Sequence, residues 1–215
     1  MKQGTPEWMA ERCGKVTASK IADVMATIKS GEAAARANYR AELIAQRLTG
    51  TVEEAYTNAA MQHGTEHEPF ARATYEIETG NSVDQIAFVD HPLIEMSGAS
   101  PDGLIGTDGL IEIKCPNTAT HLDYLIKGTV PSKYQPQMLW QMACTGRQWC
   151  DFVSFDPRLP DDLKMFLIRF ERDQKRIDEM QAAVIQFNKE IDEAIIALRK
   201  RMKPMTEAQL LATQA

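Results

Sequence analysis

The sequence of 215 residues predicts an α/β protein in which a mixed central β-sheet is flanked by helices. Three observations lead to this class. Helix-like and strand-like segments alternate along the chain, a hairpin signal lies in its middle, and a long amphipathic helix spans residues 171–203. We expect residues 1–203 to form a single domain and residues 204–215 to form a flexible tail.

The N-terminal segments are predicted to be helical. Thr5 can cap a short helix that has Pro6 at its first position. Thr17 or Ser19 is a natural N-cap for a second helix that extends to residue 27. A hydroxyl-bearing helix start with Arg12 and Lys15 close by can bind an anion, but the local pattern by itself favours an ordinary capped helix.

Two longer helices are predicted next, over residues 32–48, ended by Gly50, and over residues 57–80. Pro69 should break the second of these helices or restart it near residues 65–68. Three of its side chains are predicted to face the core: Phe70, Ala73 and Ile77.

The remaining chain contains the predicted sheet. Strands are expected over residues 81–90, 96–105, 110–115, 149–155 and 164–170. The dipeptide Asp108-Gly109 predicts a tight turn between the second and third strands. Two helices separate the third strand from the fourth: one over residues 118–127 capped by Thr118, and one over residues 130–144 ended by Gly146.

The hairpin carries the residues that indicate chemistry. Asp102 precedes the turn, and Glu112 and Lys114 follow it in the segment Leu110-Ile111-Glu112-Ile113-Lys114. Side chains alternate along a strand, so Glu112 and Lys114 share one face while the two isoleucines point into the core. The hairpin would bring Asp102 close to Glu112. Two neighbouring carboxylates need a cation or a shared proton, and Mg²⁺ prefers such oxygen ligands.

A proline-aspartate pair followed by Glu-x-Lys is typical of a large superfamily of metal-dependent nucleases, known as PD-(D/E)xK. A simpler alternative is a surface hairpin in which Glu112 and Lys114 form a weak exposed pair. Glu68, in the helix before the sheet, also has a simple explanation, because the helix dipole favours an acidic residue in a first turn.

Composition limits the classes of protein that fit. The formal net charge is −6, which excludes a protein that coats DNA through bulk charge, so any positive potential must be local. No apolar run has the length of a membrane span, and the N-terminus lacks the apolar core of a secretory signal. We therefore expect a cytoplasmic protein without a membrane partner. The four cysteines lack paired C-x-x-C spacing, and we interpret them as reduced thiols in or near the core rather than as cluster ligands.

Several ordered motifs resemble the phage lambda exonuclease family, the alkaline exonucleases of phage recombination systems. The resemblance covers residues 4–193. Its motifs are Gly4-Thr5-x-x-Trp8, Arg12-x-Gly14-x-Val16-Thr17-Ala18-Ser19, Gly64-x-x-x-Glu68-x-x-Ala71-Arg72, Ser100-Pro101-Asp102-Gly103, Glu112-x-Lys114-Cys115-Pro116, Tyr134-x-x-Gln137 and Asp156-Pro157-Arg158.

The resemblance implies a restriction-endonuclease-like core and a role for each motif. Metal ligands would be Asp102, Glu112, Glu68 and the carbonyl of Ile113, which together would bind Mg²⁺, or Mn²⁺ as a substitute, as two ions. Lys114 would orient or deprotonate the attacking water, or offset charge in the transition state, and it can act as a base only if its pKa is lowered. Gln137 would orient the water or the scissile phosphate.

The family's 5′-phosphate site maps onto four residues: Arg12, Thr17, Ser19 and Ser100. The implied activity is Mg²⁺-dependent 5′-to-3′ digestion of one strand of linear double-stranded DNA to mononucleotides, which leaves a 3′ single strand for recombination. The resemblance also implies a homotrimeric ring, a single-strand annealing protein as partner, and a phage or prophage protein in a bacterial cell. Two alternatives remain: a site-cutting endonuclease of the same superfamily, and a non-catalytic DNA-end-binding protein.

Overall fold

The computed structural model describes residues 2–52 and 59–202. The helices are α1 Pro6–Arg12, α2 Ile21–Val24, α3 Ala34–Thr49, α4 Ala59–Thr79, α5 Thr118–Lys127, α6 Gln135–Thr145 and α7 Gln174–Arg201. The strands are β1 Val16–Thr17, β2 Val83–Asp84, β3 Val89–Asp90, β4 Ser97–Ala99, β5 Gly103–Ile105, β6 Gly109–Lys114, β7 Trp149–Phe155 and β8 Met165–Glu171. The predicted tail and the predicted start of the fourth helix lie outside the described residues.

The central sheet is mixed, as predicted. Its order is β2-β5-β6-β7-β8, with β6 and β7 parallel and the other neighbours antiparallel. Helices cover both faces. On one face, α6 and α7 pack on Leu110, Cys150 and Phe152, and on the other face α4 packs on Ile111 and Ile113. Strand β6 is therefore buried on both sides, which explains why its two charged residues have to be satisfied inside the protein.

Two predicted strands are each divided in the structure, and this prediction was wrong. Residues 81–90 form β2 and β3, and residues 96–105 form β4 and β5, because β3 and β4 join β1 in a separate small sheet. Side chains from the N-terminus bind the intervening backbone. Gln3 donates to the carbonyls of Ile86 and Pro101, and Trp8 donates to that of Ala87. These contacts take the place of ladder hydrogen bonds.

Helix α4 runs through Pro69 without the predicted break. The predicted core face was also wrong, since Phe70 is 64% exposed, Ile77 is 84% exposed and Ala73 is exposed. The helix instead buries Ala71 and Tyr75, which are four positions apart. Tyr75 donates to Asp151 of β7 at 2.7 Å, so a tertiary contact fixes the register of this helix against the sheet.

Local caps and turns differ in detail from the prediction. Asn117, not Thr118, caps α5 by accepting from Thr120 N at 2.9 Å. Thr17 precedes a 3₁₀ turn, Ala18–Lys20, and makes no capping bond through its side chain. Helices α1 and α3 begin and end largely as predicted, with Thr5 as a cap and Gly50 in the left-handed region.

The hairpin turn lies one step before the predicted position. Gly109 already pairs with Ile105 in the β5–β6 ladder, so the loop comprises residues 106–108. A Cβ at Gly109 would lie 2.1 Å from the ring of Trp149, so this glycine permits close packing rather than a turn. Arg147 donates to the carbonyls of Ile105, Gly106 and Gly109 and so holds the hairpin in place.

All four cysteines are free thiols, as expected. Cys144 and Cys150 are buried, whereas Cys13 and Cys115 are half-buried. Cys115 packs with the α4 side of the sheet, opposite Glu112 and Lys114. Burial raises the pKa of Cys115 to about 12, so its thiol is not reactive at neutral pH. None of the helices in the described part of the chain has the length and hydropathy of a membrane span.

Candidate active site on the β5–β6 hairpin

The hairpin brings Asp102 and Glu112 together, as the sequence predicts. Asp102 immediately precedes β5, and its Oδ2 accepts from the backbone N–H of Ile113 at 2.7 Å. This bond holds the Asp102 carboxylate next to β6, the strand that carries Glu112. Glu112 itself is completely buried and faces α6, opposite the apolar face of β6. The alternative of an exposed surface pair is therefore excluded.

The pKa of Asp102 is affected by the neighbouring carboxylates. Burial raises the pKa of Asp102 well above its ordinary value, and the charges of Glu112 and Glu68 raise it further. The charge of Lys114 and the Ile113 amide oppose this rise. Neighbouring carboxylates that resist simultaneous ionisation are suited to a divalent cation with oxygen ligands. The donor chemistry of Asp102 and Glu112 therefore fits Mg²⁺ or Mn²⁺.

The full predicted ligand set is not drawn together in the structure. Within residues 2–52 and 59–202, no group of three or more His, Cys, Asp or Glu side chains is arranged to hold a metal. The carboxylate of Glu68 is instead paired with Arg72, one turn further along α4. Metal binding by Glu68 and by the Ile113 carbonyl therefore stays a prediction.

Lys114 forms an ion pair with Glu112, and its Nζ lies 5.1 Å from the centre of the Tyr134 ring. Burial acts to lower the pKa of Lys114, but Glu112 and Asp102 outweigh it and raise the pKa above its ordinary value. The ammonium form is therefore favoured. Of the three roles predicted for Lys114, this geometry supports orienting the water and offsetting charge more than it supports removal of a proton.

Two glutamines of α6 hold Glu112. Nε2 of Gln137 donates to Oε1 of Glu112, and Nε2 of Gln141 donates to Oε2, each at 2.7 Å. Gln137 is predicted to orient the water or phosphate, and the structure places it on a carboxylate. Sequence reasoning did not single out Gln141. Its only signal was a polar residue four positions after Gln137, inside the otherwise apolar run 138–144. Pro136 lies in the first turn of α6, where a missing N–H is tolerated.

Three of the four predicted phosphate residues lie in one cavity. Arg12, Thr17 and Ser19 line one cavity of about 430 Å³ together with Lys15 and Lys20. Both lysines are paired with carboxylates, with Glu11 and Asp90 for Lys15 and with Asp23 for Lys20. Because both lysines are paired, the guanidinium of Arg12 is the group in this cavity that we consider for binding an anion.

Arg12 has unused hydrogen-bonding capacity. Its Nε is buried, and in the described part of the chain it has no hydrogen-bond partner. The guanidinium lies 3.9 Å from the centre of the Trp8 ring, and burial lowers its pKa from the usual value. A buried donor without a partner in a concave site is consistent with an anion ligand. Ser100 does not line the cavity, but its hydroxyl accepts from Nε1 of Trp8 at 2.9 Å.

Comparison with known proteins identifies the family. A model of the YqaJ-like viral recombinase domain matches residues 7–148. The chain belongs to the YqaJ-like viral recombinase family. No curated protein gives a significant match.

Solved structures of similar proteins agree with this family. An alkaline exonuclease from Laribacter hongkongensis, LHK-Exo, is 56% identical in its complex with dAMP, with a TM-score of 0.86 over 92% of this chain and 97% of that chain. A second structure of LHK-Exo is 55% identical, with a TM-score of 0.85 and the same coverage.

A phage-related exonuclease from Haemophilus somnus 129PT is 18% identical, with a TM-score of 0.71 over 86% of this chain and 96% of that chain, and it supports the fold alone. The predicted α/β nuclease fold and the predicted resemblance to alkaline exonucleases are confirmed. A nuclease role in recombination is the coarse function that the YqaJ-like family supports.

Proposed function

We propose that this member of the YqaJ-like family is a Mg²⁺-dependent exonuclease that digests one strand of linear double-stranded DNA in the 5′-to-3′ direction. The products would be mononucleotides and a 3′ single strand available for annealing. The observation that carries the proposal is the pair Asp102 and Glu112 on one hairpin, with Lys114 beside them. The dAMP bound by LHK-Exo is a mononucleotide, the class of product that we propose.

Each residue contributes a defined action. Asp102 and Glu112 would hold the metal, with Glu68 and the Ile113 carbonyl as further ligands. These residues would hold two Mg²⁺ ions, or Mn²⁺ in their place, and the metal would supply activation of the attacking water and stabilisation of the leaving oxygen. Lys114 offsets the negative charge that develops on the phosphate. Gln137, which donates to Glu112, orients the water or the scissile phosphate, and Arg12 binds the 5′-terminal phosphate through paired donors, assisted by Thr17, Ser19 and Ser100.

The assembly and partners follow the same proposal. We expect a homotrimeric ring that passes DNA through its centre, since a ring explains how a chain with net charge −6 stays on its substrate. A single-strand annealing protein is the expected partner for the 3′ strand, and the cytoplasm of a bacterial host is the expected location. Gel filtration with light scattering would measure the subunit number.

The test is a digestion assay on a linear duplex that carries a 5′ phosphate at one end and a 5′ hydroxyl at the other. In Mg²⁺, we expect loss of the phosphorylated strand from its 5′ end, and no digestion in EDTA. Equal digestion from both ends would refute the 5′-phosphate site around Arg12 but would leave the nuclease assignment in place. Cleavage of a covalently closed circle would favour the endonuclease, and binding without digestion would favour the end-binding protein.

A further inference from the structure

Gln141 has an environment that packing does not explain. The side chain is completely buried, and its neighbours on α6, Met138, Leu139 and Met142, are buried and apolar. Its Oε1 is buried and has no hydrogen-bond partner in the described part of the chain. A buried amide oxygen without a partner lowers stability, and a methionine of similar volume would fill this space without that cost.

The amide makes one polar side-chain contact among the described residues, and that contact is Glu112. Nε2 of Gln141 donates to Oε2 at 2.7 Å. The other oxygen, Oε1, has two partners: Nε2 of Gln137 and the ammonium of Lys114. Gln141 is thus the sole described protein donor to Oε2. Without it, the carboxylate is held at one oxygen and can turn about its last torsion angle.

Gln137 and Gln141 differ in exposure, although both donate to Glu112. Gln137 is half-buried at the start of α6 and is partly accessible from outside the protein, whereas Gln141 is completely buried. The α-helix places residues four apart on one face, so the two amides contact the two oxygens of one carboxylate. This division leaves Gln137 for the reacting groups and Gln141 for Glu112 alone.

We propose that Gln141 is a positioning residue that fixes the orientation of the Glu112 carboxylate for binding a divalent cation. The inference rests on the proposed function, because it concerns the metal ligand of that site. Donors that orient a ligating side chain commonly change metal affinity or activity by roughly 10- to 100-fold when they are removed. Gln141 acts through Glu112, and it does not contact the reacting atoms.

The test compares Gln141→Met with Gln135→Met. Gln135 lies on the same helix but donates to the Val130 carbonyl and accepts from Arg176, away from Glu112. Binding of Mn²⁺ is measured by calorimetry, and the rise in melting temperature on adding Mn²⁺ is measured against each variant's own EDTA baseline. The Mg²⁺ dependence of duplex digestion is measured alongside. Gln141→Asn, which keeps an amide but withdraws it by one methylene, serves if the methionine variant does not fold.

We expect the Mn²⁺ dissociation constant and the half-saturating Mg²⁺ concentration of the Gln141 variants to rise by roughly 10- to 100-fold. Saturating Mg²⁺ should restore most of the digestion rate, which a packing defect would not allow. Gln135→Met should match the wild type in metal affinity. Unchanged metal affinity in the Gln141 variants would overturn the inference. If the wild type and Gln135→Met showed neither metal binding nor digestion, the proposed function itself would fail, and the inference with it.

Discussion

The indole N–H of Trp8 donates to the hydroxyl of Ser100 at 2.9 Å, which connects α1 to the segment that precedes Asp102. The same N–H also donates to the carbonyl of Ala87, and the Trp8 ring lies under the guanidinium of Arg12. One side chain therefore holds two of the four predicted phosphate residues. The predicted 5′-phosphate site and the hairpin are joined through Trp8, although they are far apart in sequence.

Trp8→Phe removes the N–H and keeps a ring under Arg12. We expect the preference for a 5′-phosphorylated end over a hydroxyl end to fall by about 5-fold, because one hydrogen bond contributes about 1 kcal/mol. The ratio of digestion rates at the two ends measures it. Trp149→Phe is the matched control, since Trp149 also lies under an arginine, Arg169 at 3.5 Å, but it stands at the start of β7 and contacts neither Arg12 nor Ser100 in the described part of the chain. An unchanged ratio for Trp8→Phe would show that the Trp8 N–H does not contribute to recognition of the 5′ phosphate.

Lys114→Arg and Lys114→Met distinguish charge from proton transfer. The ion pair of Lys114 with Glu112 indicates that the charge is what matters, so Arg should retain at least about 10-fold more digestion activity than Met, which we expect to lose roughly 10²–10³-fold. Single-turnover rates at saturating Mg²⁺ measure the difference. Because an arginine does not lose its proton, equal inactivity of the two variants would instead indicate that Lys114 acts as a base.

Asp156 predicts a pH dependence of stability away from the hairpin. Burial acts to raise its pKa, but hydrogen bonds from Arg158 and Thr118 outweigh burial and lower the pKa to about 2. A lowered pKa in the folded state means that the stabilisation is complete above the ordinary value of 3.8 and is lost as the pH falls through about 2. Arg158 is half exposed, so we expect a contribution of only about 1–2 kcal/mol.

Asp156→Asn should therefore lower the free energy of unfolding at pH 7 by about that amount, and the difference from the wild type should shrink below about pH 4. Urea unfolding at pH 7, 5 and 3.5 measures it. Asp161→Asn is the control, because the Asp161 side chain is 97% exposed in its pair with Lys164. A difference that grows as the pH falls would contradict the assigned role of Asp156.

The sequence was sufficient for the parts of the site that depend on local periodicity. Asp102, Glu112 and Lys114 follow from a turn signal and from alternation along one strand, and both are properties of neighbouring residues. The contact between Gln141 and Glu112 depends on how α6 packs on β6, which no local pattern specifies. For the same reason, the periodicity of α4 gave the wrong core face, because the register of this helix is set by Tyr75 and its bond to Asp151.

The divided strands show a second limit of prediction from local sequence. Residues 85–88 have strand-like composition, yet the side chains of Gln3 and Trp8 donate hydrogen bonds to two of their backbone carbonyls. Such contacts join residues about eighty positions apart, and they override β-propensity. The spacing of Trp8 and Arg12, four residues apart on a predicted helix, was visible in the sequence, but the hydrogen bond between Trp8 and Ser100 was not.

The most direct measurement of the central claim uses Asp102→Asn, which keeps an oxygen to accept from Ile113 N but removes the charge. Mn²⁺ binding, digestion of linear duplex in Mg²⁺ and the melting temperature in EDTA are measured on one preparation. We expect digestion to fall by at least roughly 10³-fold and Mn²⁺ binding to weaken, with a melting temperature equal to or above that of the wild type, because a buried repulsion is removed. Digestion at the wild-type rate would show that the Asp102–Glu112 pair is not the catalytic centre.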